Sequence, residues 1–253
     1  MKLPDDLADL LQIIAAELPG ILPGNLVGIY VWGSLTYDAF DETCSDVDLV
    51  AVTERDMDDS EFSELAAWFA SKEKQNRWMR RIDMRFVIDN QFLDKTSRCC
   101  GFYHYLGKLT RHGSDGNPFI WINVAKSGVT LWGKEAKRIA PQISDQCLND
   151  ALLLELNYLR EDLASNAGDR SDKAFIHNAY AVLTACRIYY TARHRTLVSK
   201  DAAMRWALET LPDWRSVIQT ASSNRLKNGG AATPESEQAA MRFVEFVSGY
   251  LCS

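Results

Sequence analysis

Apolar positions change their spacing as the chain proceeds. Over residues 4–18, Leu7, Leu10, Leu11, Ile14 and Leu18 recur every three or four places, the period of one helix face. Pro4 suits the first turn of that helix, and Pro19-Gly20 and Pro23-Gly24 are expected to end it. Leu26–Trp32 is then a continuous apolar run that stops at Gly33-Ser34. Asp46–Thr53 reads as a second strand. Residues 59–73 return to helical spacing through Phe62, Leu65, Ala66 and Phe69. A third strand, Ile82–Ile88, alternates Ile82, Met84, Phe86 and Ile88 with Asp83, Arg85 and Val87. Beyond about residue 115 no strand is predicted; residues 119–126, 148–163, 175–190, 200–211 and 234–251 read as helices. Strands early and helices late predict an α+β N-terminal domain over residues 1–145 followed by an all-α helical domain over residues 146–253.

Composition narrows the class. The 253 residues are 47% hydrophobic and 25% charged, enough for a sizeable core and unlike a disordered or fibrous chain. With 28 Lys and Arg against 34 Asp and Glu, the net charge is −6. That balance speaks against a nucleic-acid partner, whose footprint is a basic stripe, and is compatible with a cationic small molecule. The six cysteines form no CxxC pair, and the four histidines show no HExxH or zinc spacing. The acidic start Met1-Lys2-Leu3-Pro4-Asp5-Asp6 does not read as a signal peptide, and no apolar run reaches membrane-spanning length. A reduced, cytoplasmic monomer without a membrane partner is the expectation.

Chemistry concentrates between the first two strands. Val31-Trp32-Gly33-Ser34 is followed, after ten residues, by Ser45-Asp46-Val47-Asp48-Leu49-Val50. Strand alternation places Asp46 and Asp48 on one face and Val47, Leu49 and Ala51 on the other. Two carboxylates that close repel each other, and burying them costs several kcal/mol unless a cation sits between them. Oxygen-only ligation suits Mg²⁺, which takes one or two carboxylates together with substrate phosphates and water. Asp83, facing away from its apolar neighbours on the third strand, can complete such a site. Gly33 lets a backbone approach a phosphate, and Ser34 offers a hydroxyl and an N–H to its oxygens. Gly-Ser alone is an ordinary turn, and Asp-x-Asp alone an exposed strand face; their combination carries the reading.

This pattern resembles the nucleotidyltransferase superfamily related to DNA polymerase β. A later stretch narrows the resemblance: Ala181–Tyr190, Val198-Ser199-Lys200-Asp201-Ala202-Ala203, Arg205-Trp206-Ala207-Leu208 and Leu211-Pro212 look like the helical C-terminal domain of the aminoglycoside (3'')(9) adenylyltransferases. The resemblance implies a nucleotidyltransferase domain, a mixed β-sheet flanked by helices, followed by a helical bundle. It implies Mg²⁺-dependent transfer of AMP from ATP to a hydroxyl of an aminoglycoside or aminocyclitol, in a site between the two domains. By position, Asp46 and Asp48 match the metal ligands and Asp83 the third acid, a ligand or base that is usually glutamate in the family. Gly33, Ser34 and Ser45 match residues at the nucleotide phosphates, and Lys200 a lysine that reaches the nucleotide. Ser199 independently reads as an N-cap, which puts Lys200 in a first helical turn where an anion is favoured over a cation.

For the acceptor, Tyr103 matches an aromatic position after the third strand, and Asp169 or Asp172 an acidic one. Two departures bear on specificity: Leu163 stands near a tryptophan position associated with streptomycin, and His177 replaces an acid. Both favour spectinomycin over streptomycin. The sequence also allows a nucleotidyltransferase of this fold acting on another small molecule, a protein or an RNA end, and a non-catalytic nucleotide-binding relative. Retention of all three carboxylates and Lys200 weighs against the last.

Overall fold

The computed structural model describes residues 3–43, 45–103, 106–114, 116–169, 171–225 and 232–252. The chain divides into two compact units, residues 1–143 and 144–253.

The first unit is built on a six-stranded mixed sheet. Its strands are β1 (Leu26–Trp32), β2 (Val47–Thr53), β3 (Ile82–Ile88), β4 (Arg98–Tyr103), β5 (Lys108–Gly113) and β6 (Val129–Gly133), in the order β5-β4-β3-β2-β1-β6. Only β2 and β3 pair in parallel; their connection runs through α2 (Asp59–Glu73) and a 3-10 turn at Arg77–Arg81, as a parallel pair requires. Alternation along the strands feeds two cores. Leu49, Ala51, Met84 and Phe86 pack against Leu10 and Ile14 of α1 (Asp5–Ile21) and Leu65 and Phe69 of α2. On the opposite face Tyr30, Val50, Val52 and Val87 meet Ile120, Trp121 and Val124 of α3 (Pro118–Ser127) and Ala136 and Ile139 of α4 (Ala136–Ile139). Each large apolar side chain so buried contributes about 1.5–3 kcal/mol.

Differences from the sequence reading have physical causes. Helix α1 continues through Pro19 to Ile21, because a proline near the last turn removes one backbone bond while Leu18 and Leu22 on either side are wholly buried. Strand β4 carried no alternation to detect, since Cys99 to Phe102 are buried on both faces, and β5 beside it buries only Leu109. Strand β6 lies beyond residue 115, where no strand was expected; it is a short edge strand of exposed and half-buried residues.

The second unit contains α5 (Asp145–Ser165), α6 (Asp172–His194), α7 (Lys200–Thr210), α8 (Arg215–Arg225) and α9 (Pro234–Leu251). Helix α6 is its axis, with Ala179, Ala181, Val182, Leu183, Ala185, Cys186, Ile188 and Tyr189 buried. Helix α8 escaped the sequence pattern because its exposed positions are polar and only Ile218 and Ala221 are buried in its middle. Burial pushes the Cys100 and Cys186 thiols up to about 12, so neither is a nucleophile near neutral pH. Among the described residues no helix is long and apolar enough to cross a membrane.

Candidate active site

Strand register assembles the acidic centre. Trp32 pairs with Asp48, Asp48 with Asp83, Asp83 with Tyr103, and Tyr103 with Lys108, forming one row across five strands. Side chains in such a row share a sheet face, here the face that α3 covers further along; Leu49, Met84 and Phe102 beside them enter the α1/α2 core. Asp48 and Asp83 are therefore neighbours on adjacent strands, about 4.8 Å apart at the backbone, and both are half-buried. Asp46 is exposed and precedes β2, in the loop that enters it. Among the described residues no three His, Cys, Asp or Glu side chains are gathered into a ready-made metal cluster. The adjacent pair Asp48 and Asp83 nevertheless fits a hard cation that takes one or two carboxylates and completes its shell from phosphates and water.

Gly33 begins a 3-10 turn, Gly33–Thr36, directly after β1. Its φ is +73°, and a Cβ built there would lie 2.0 Å from Asp48 Oδ2. Only glycine permits both the backbone conformation and the carboxylate's position. The Ser34 carbonyl accepts from the N–H groups of Tyr37 and Ala39. Ser45 closes the loop before β2: its hydroxyl accepts from Asp41 N–H at 2.9 Å, and its N–H donates to the Asp41 carbonyl at 2.8 Å. Arg81, two residues before Asp83, donates to the carbonyls of Asp41, Glu42 and Ser45. Arg77 bonds the Glu42 carboxylate at 3.0 Å. The loop carrying Ser45 is thus clamped from the 3-10 turn that leads into the strand carrying Asp83.

Tyr103 is steered by β5. His112 Nδ1 lies 2.7 Å from the Gly113 carbonyl, which can only accept, so Nδ1 carries the proton and Nε2 accepts from the Tyr103 hydroxyl at 3.1 Å. The Arg85 guanidinium lies 5.8 Å from the Tyr103 ring centroid.

In the second unit, Ser199 caps α7 by accepting from Ala202 N–H, which places Lys200 at the first helical position. Its ammonium lies 4.0 Å from the Tyr180 ring centroid, a cation–π contact that the sequence did not reveal. His177 bonds Asp162 through Nδ1 at 2.8 Å, which sets a carboxylate of α5 beside position 177. Leu163 is buried in the bundle. Asp169 is exposed and caps a turn through Ser171 N–H and Oγ; the side chain of Asp172 lies outside the described residues.

Sequence reasoning passed over Asn123, Thr36, Arg81 and Asp162. Only Asn123 left a signal, as the lone amide within the apolar stretch Phe119–Val124.

The C-terminal domain of aminoglycoside adenylyltransferases matches residues 138–249. Spectinomycin 9-adenylyltransferase of Campylobacter jejuni is 24% identical over 240 residues, 90% of this chain and 88% of that protein. Both findings liken the chain to the aminoglycoside adenylyltransferases, the family match lying over its C-terminal domain. As an adenylyltransferase it also shares its fold with a solved relative, the spectinomycin adenyltransferase AAD(9) from Enterococcus faecialis determined with ATP and spectinomycin. The TM-score is 0.68 at 16% identity, covering 96% of this adenylyltransferase and 98% of that chain.

Proposed function

We propose that this adenylyltransferase transfers AMP from ATP to a hydroxyl of spectinomycin or a closely related aminocyclitol, with Mg²⁺ as the accompanying ion. The observation that carries the reading is the adjacency of Asp48 and Asp83 beside the Gly33-Ser34 turn. Two carboxylates held side by side on rigid strands are unfavourable alone and favourable around a cation.

Asp48 and Asp83, with Asp46 from the entering loop, would hold Mg²⁺, which when bound neutralises charge on the nucleotide's phosphates. The chain's own residues do the rest. Gly33, Ser34 and Ser45 orient the phosphates, and Lys200 is the basic residue that the family resemblance assigns to the nucleotide. Asp83 directs the acceptor hydroxyl and receives its proton as the acceptor oxygen bonds to the α-phosphorus. The bond from that phosphorus to the bridging oxygen breaks, and pyrophosphate leaves. Catalysis of this kind is chiefly positioning and electrostatics.

Tyr103, Asp169, Asp172 and the Asp162–His177 pair are the acceptor-side groups. Leu163 sits in the core, so no large aromatic ring is offered at the position associated with streptomycin. Spectinomycin is accordingly the preferred acceptor.

The test is mass spectrometry of the chain with Mg-ATP and a panel of spectinomycin, streptomycin and other aminoglycosides. One AMP added to spectinomycin, with streptomycin unmodified, is expected. Asp48→Asn and Asp83→Asn should stay folded and lose at least ~10³-fold in rate. Undiminished transfer by either would refute the assignment, and AMP on streptomycin would refute the acceptor reading.

A further inference from the structure

We infer that Asn123 is a positioning residue for the nucleotide: it fixes the Gly33–Thr36 turn so that the Ser34 N–H faces the phosphates. The inference rests on reading that turn as the phosphate-binding one.

Asn123 is 1% exposed in α3, between Ile122 and Val124. An apolar residue there would pack without the desolvation cost of a carboxamide, so burial alone does not account for it. Both ends of its carboxamide are engaged. Oδ1 accepts from Gly33 N–H at 2.8 Å and lies 3.3 Å from Thr36 Oγ1. Nδ2 lies 3.0 Å from Thr36 Oγ1 and 3.1 Å from Ser127 Oγ. The backbone N–H of Gly33 can only donate, so it must face the carboxamide oxygen, and this settles the orientation of the amide.

The consequence lies in the peptide plane. Thr36 Oγ1 donates to the Gly33 carbonyl at 2.9 Å, so both backbone polar groups of Gly33 are tied, one to Asn123 and the other through Thr36. A trans peptide unit points the following N–H opposite to the carbonyl. Holding the Gly33 carbonyl toward Thr36 therefore directs the Ser34 N–H away from the buried network. Gly33's own N–H is committed to Asn123, which leaves Ser34 to supply the turn's first main-chain donor to a phosphate oxygen. The same glycine abuts Asp48, so the network holds the turn against the metal-binding carboxylate as well.

The test uses the full chain, with Asn123→Ala and Thr36→Val as variants and Thr36→Ser, which keeps the hydroxyl, as the conservative control. Hydrogen exchange of residues 33–36 should quicken at least tenfold in the first two, while β2 and β3 keep their protection. Calorimetry with Mg-ATP should show affinity reduced about tenfold, the loss of roughly one buried hydrogen bond. The KM for spectinomycin should stay within about twofold, and Thr36→Ser should bind ATP like the wild type. Thr36→Val preserves shape, so it answers the question even if Asn123→Ala folds poorly. Unchanged exchange in the turn, or a loosened turn with unchanged ATP affinity, would overturn the inference while leaving the proposed function standing. Failure of the wild-type chain to bind Mg-ATP would overturn both.

Discussion

Gly33→Ala probes the acidic centre without touching a charge. The new Cβ would fall 2.0 Å from Asp48 Oδ2 and 2.8 Å from its Cγ. That is short of ordinary contact by well over 1 Å. The backbone adds a second penalty, because φ is +73° and an L-residue pays about 1–2 kcal/mol there. The carboxylate must swing away from Gly33, and misplacement of a reacting group by about 1 Å costs about 10²-fold in rate. The variant is therefore expected to fold, to lose about 1–2 kcal/mol of stability from the backbone term with a further loss from the clash, and to transfer AMP about 10²-fold more slowly. Urea unfolding gives the stability and mass-spectrometric turnover the rate. A double-mutant cycle with Asp48→Ala separates the two penalties, since removing the carboxyl relieves the contact but not the φ strain. An identical stability cost in both backgrounds would refute the steric argument, and a wild-type rate would refute the role given to Asp48.

Other residues offer independent checks. Hydrogen bonds from Arg77 and Trp78 hold the Asp6 carboxyl down at about 2 against its ordinary 3.8. A lowered carboxylate pKa stabilises the fold above its unfolded value, and this is lost as pH falls through the folded one. The difference in urea midpoint between wild type and Asp6→Asn should thus be complete near pH 6 and close between about pH 4 and 2; a difference constant to pH 2.5 would contradict it. Arg81→Ala releases the carbonyls of Asp41, Glu42 and Ser45 and should raise the KM for Mg-ATP several-fold, with a thermal midpoint lowered by only a few degrees. An unaltered KM would show that the loop holds itself. Asp162→Ala should weaken spectinomycin binding by about 1–3 kcal/mol through the unpaired His177, with ATP affinity unchanged, as competitive calorimetry would show.

Much of the site was legible because its chemistry is local in sequence. Gly33-Ser34 and Asp46-x-Asp48 lie within sixteen residues of chain, and alternation along β3 separated Asp83 from Ile82 and Met84 without reference to structure. The α+β order was legible for the same reason, since β1 is an unbroken apolar run, β3 alternates, and α2 carries its apolar residues at helical spacing. What stayed hidden depends on neighbours distant along the chain. Nothing near Asn123 indicates that its amide meets Gly33, ninety residues away. The pairing of His177 with Asp162 depends on how two helices lie side by side. Strand β4 was missed because burial on both faces erases the period-two signal, and edge strand β5 because Leu109 alone among its residues is buried.

The parallel register of β2 and β3 has a further consequence. Pairing Asp48 with Asp83 also pairs Leu49 with Met84 and Ala51 with Phe86. A slip of one residue would turn Asp83 into the apolar layer and expose Met84. Correct alignment of the acids and a dry core are thus one event, and assembly carries its own proofreading. A molecule that has sealed its interior has already set its two carboxylates abreast, so preparations should contain active protein and unfolded chain with no compact, silent form between them.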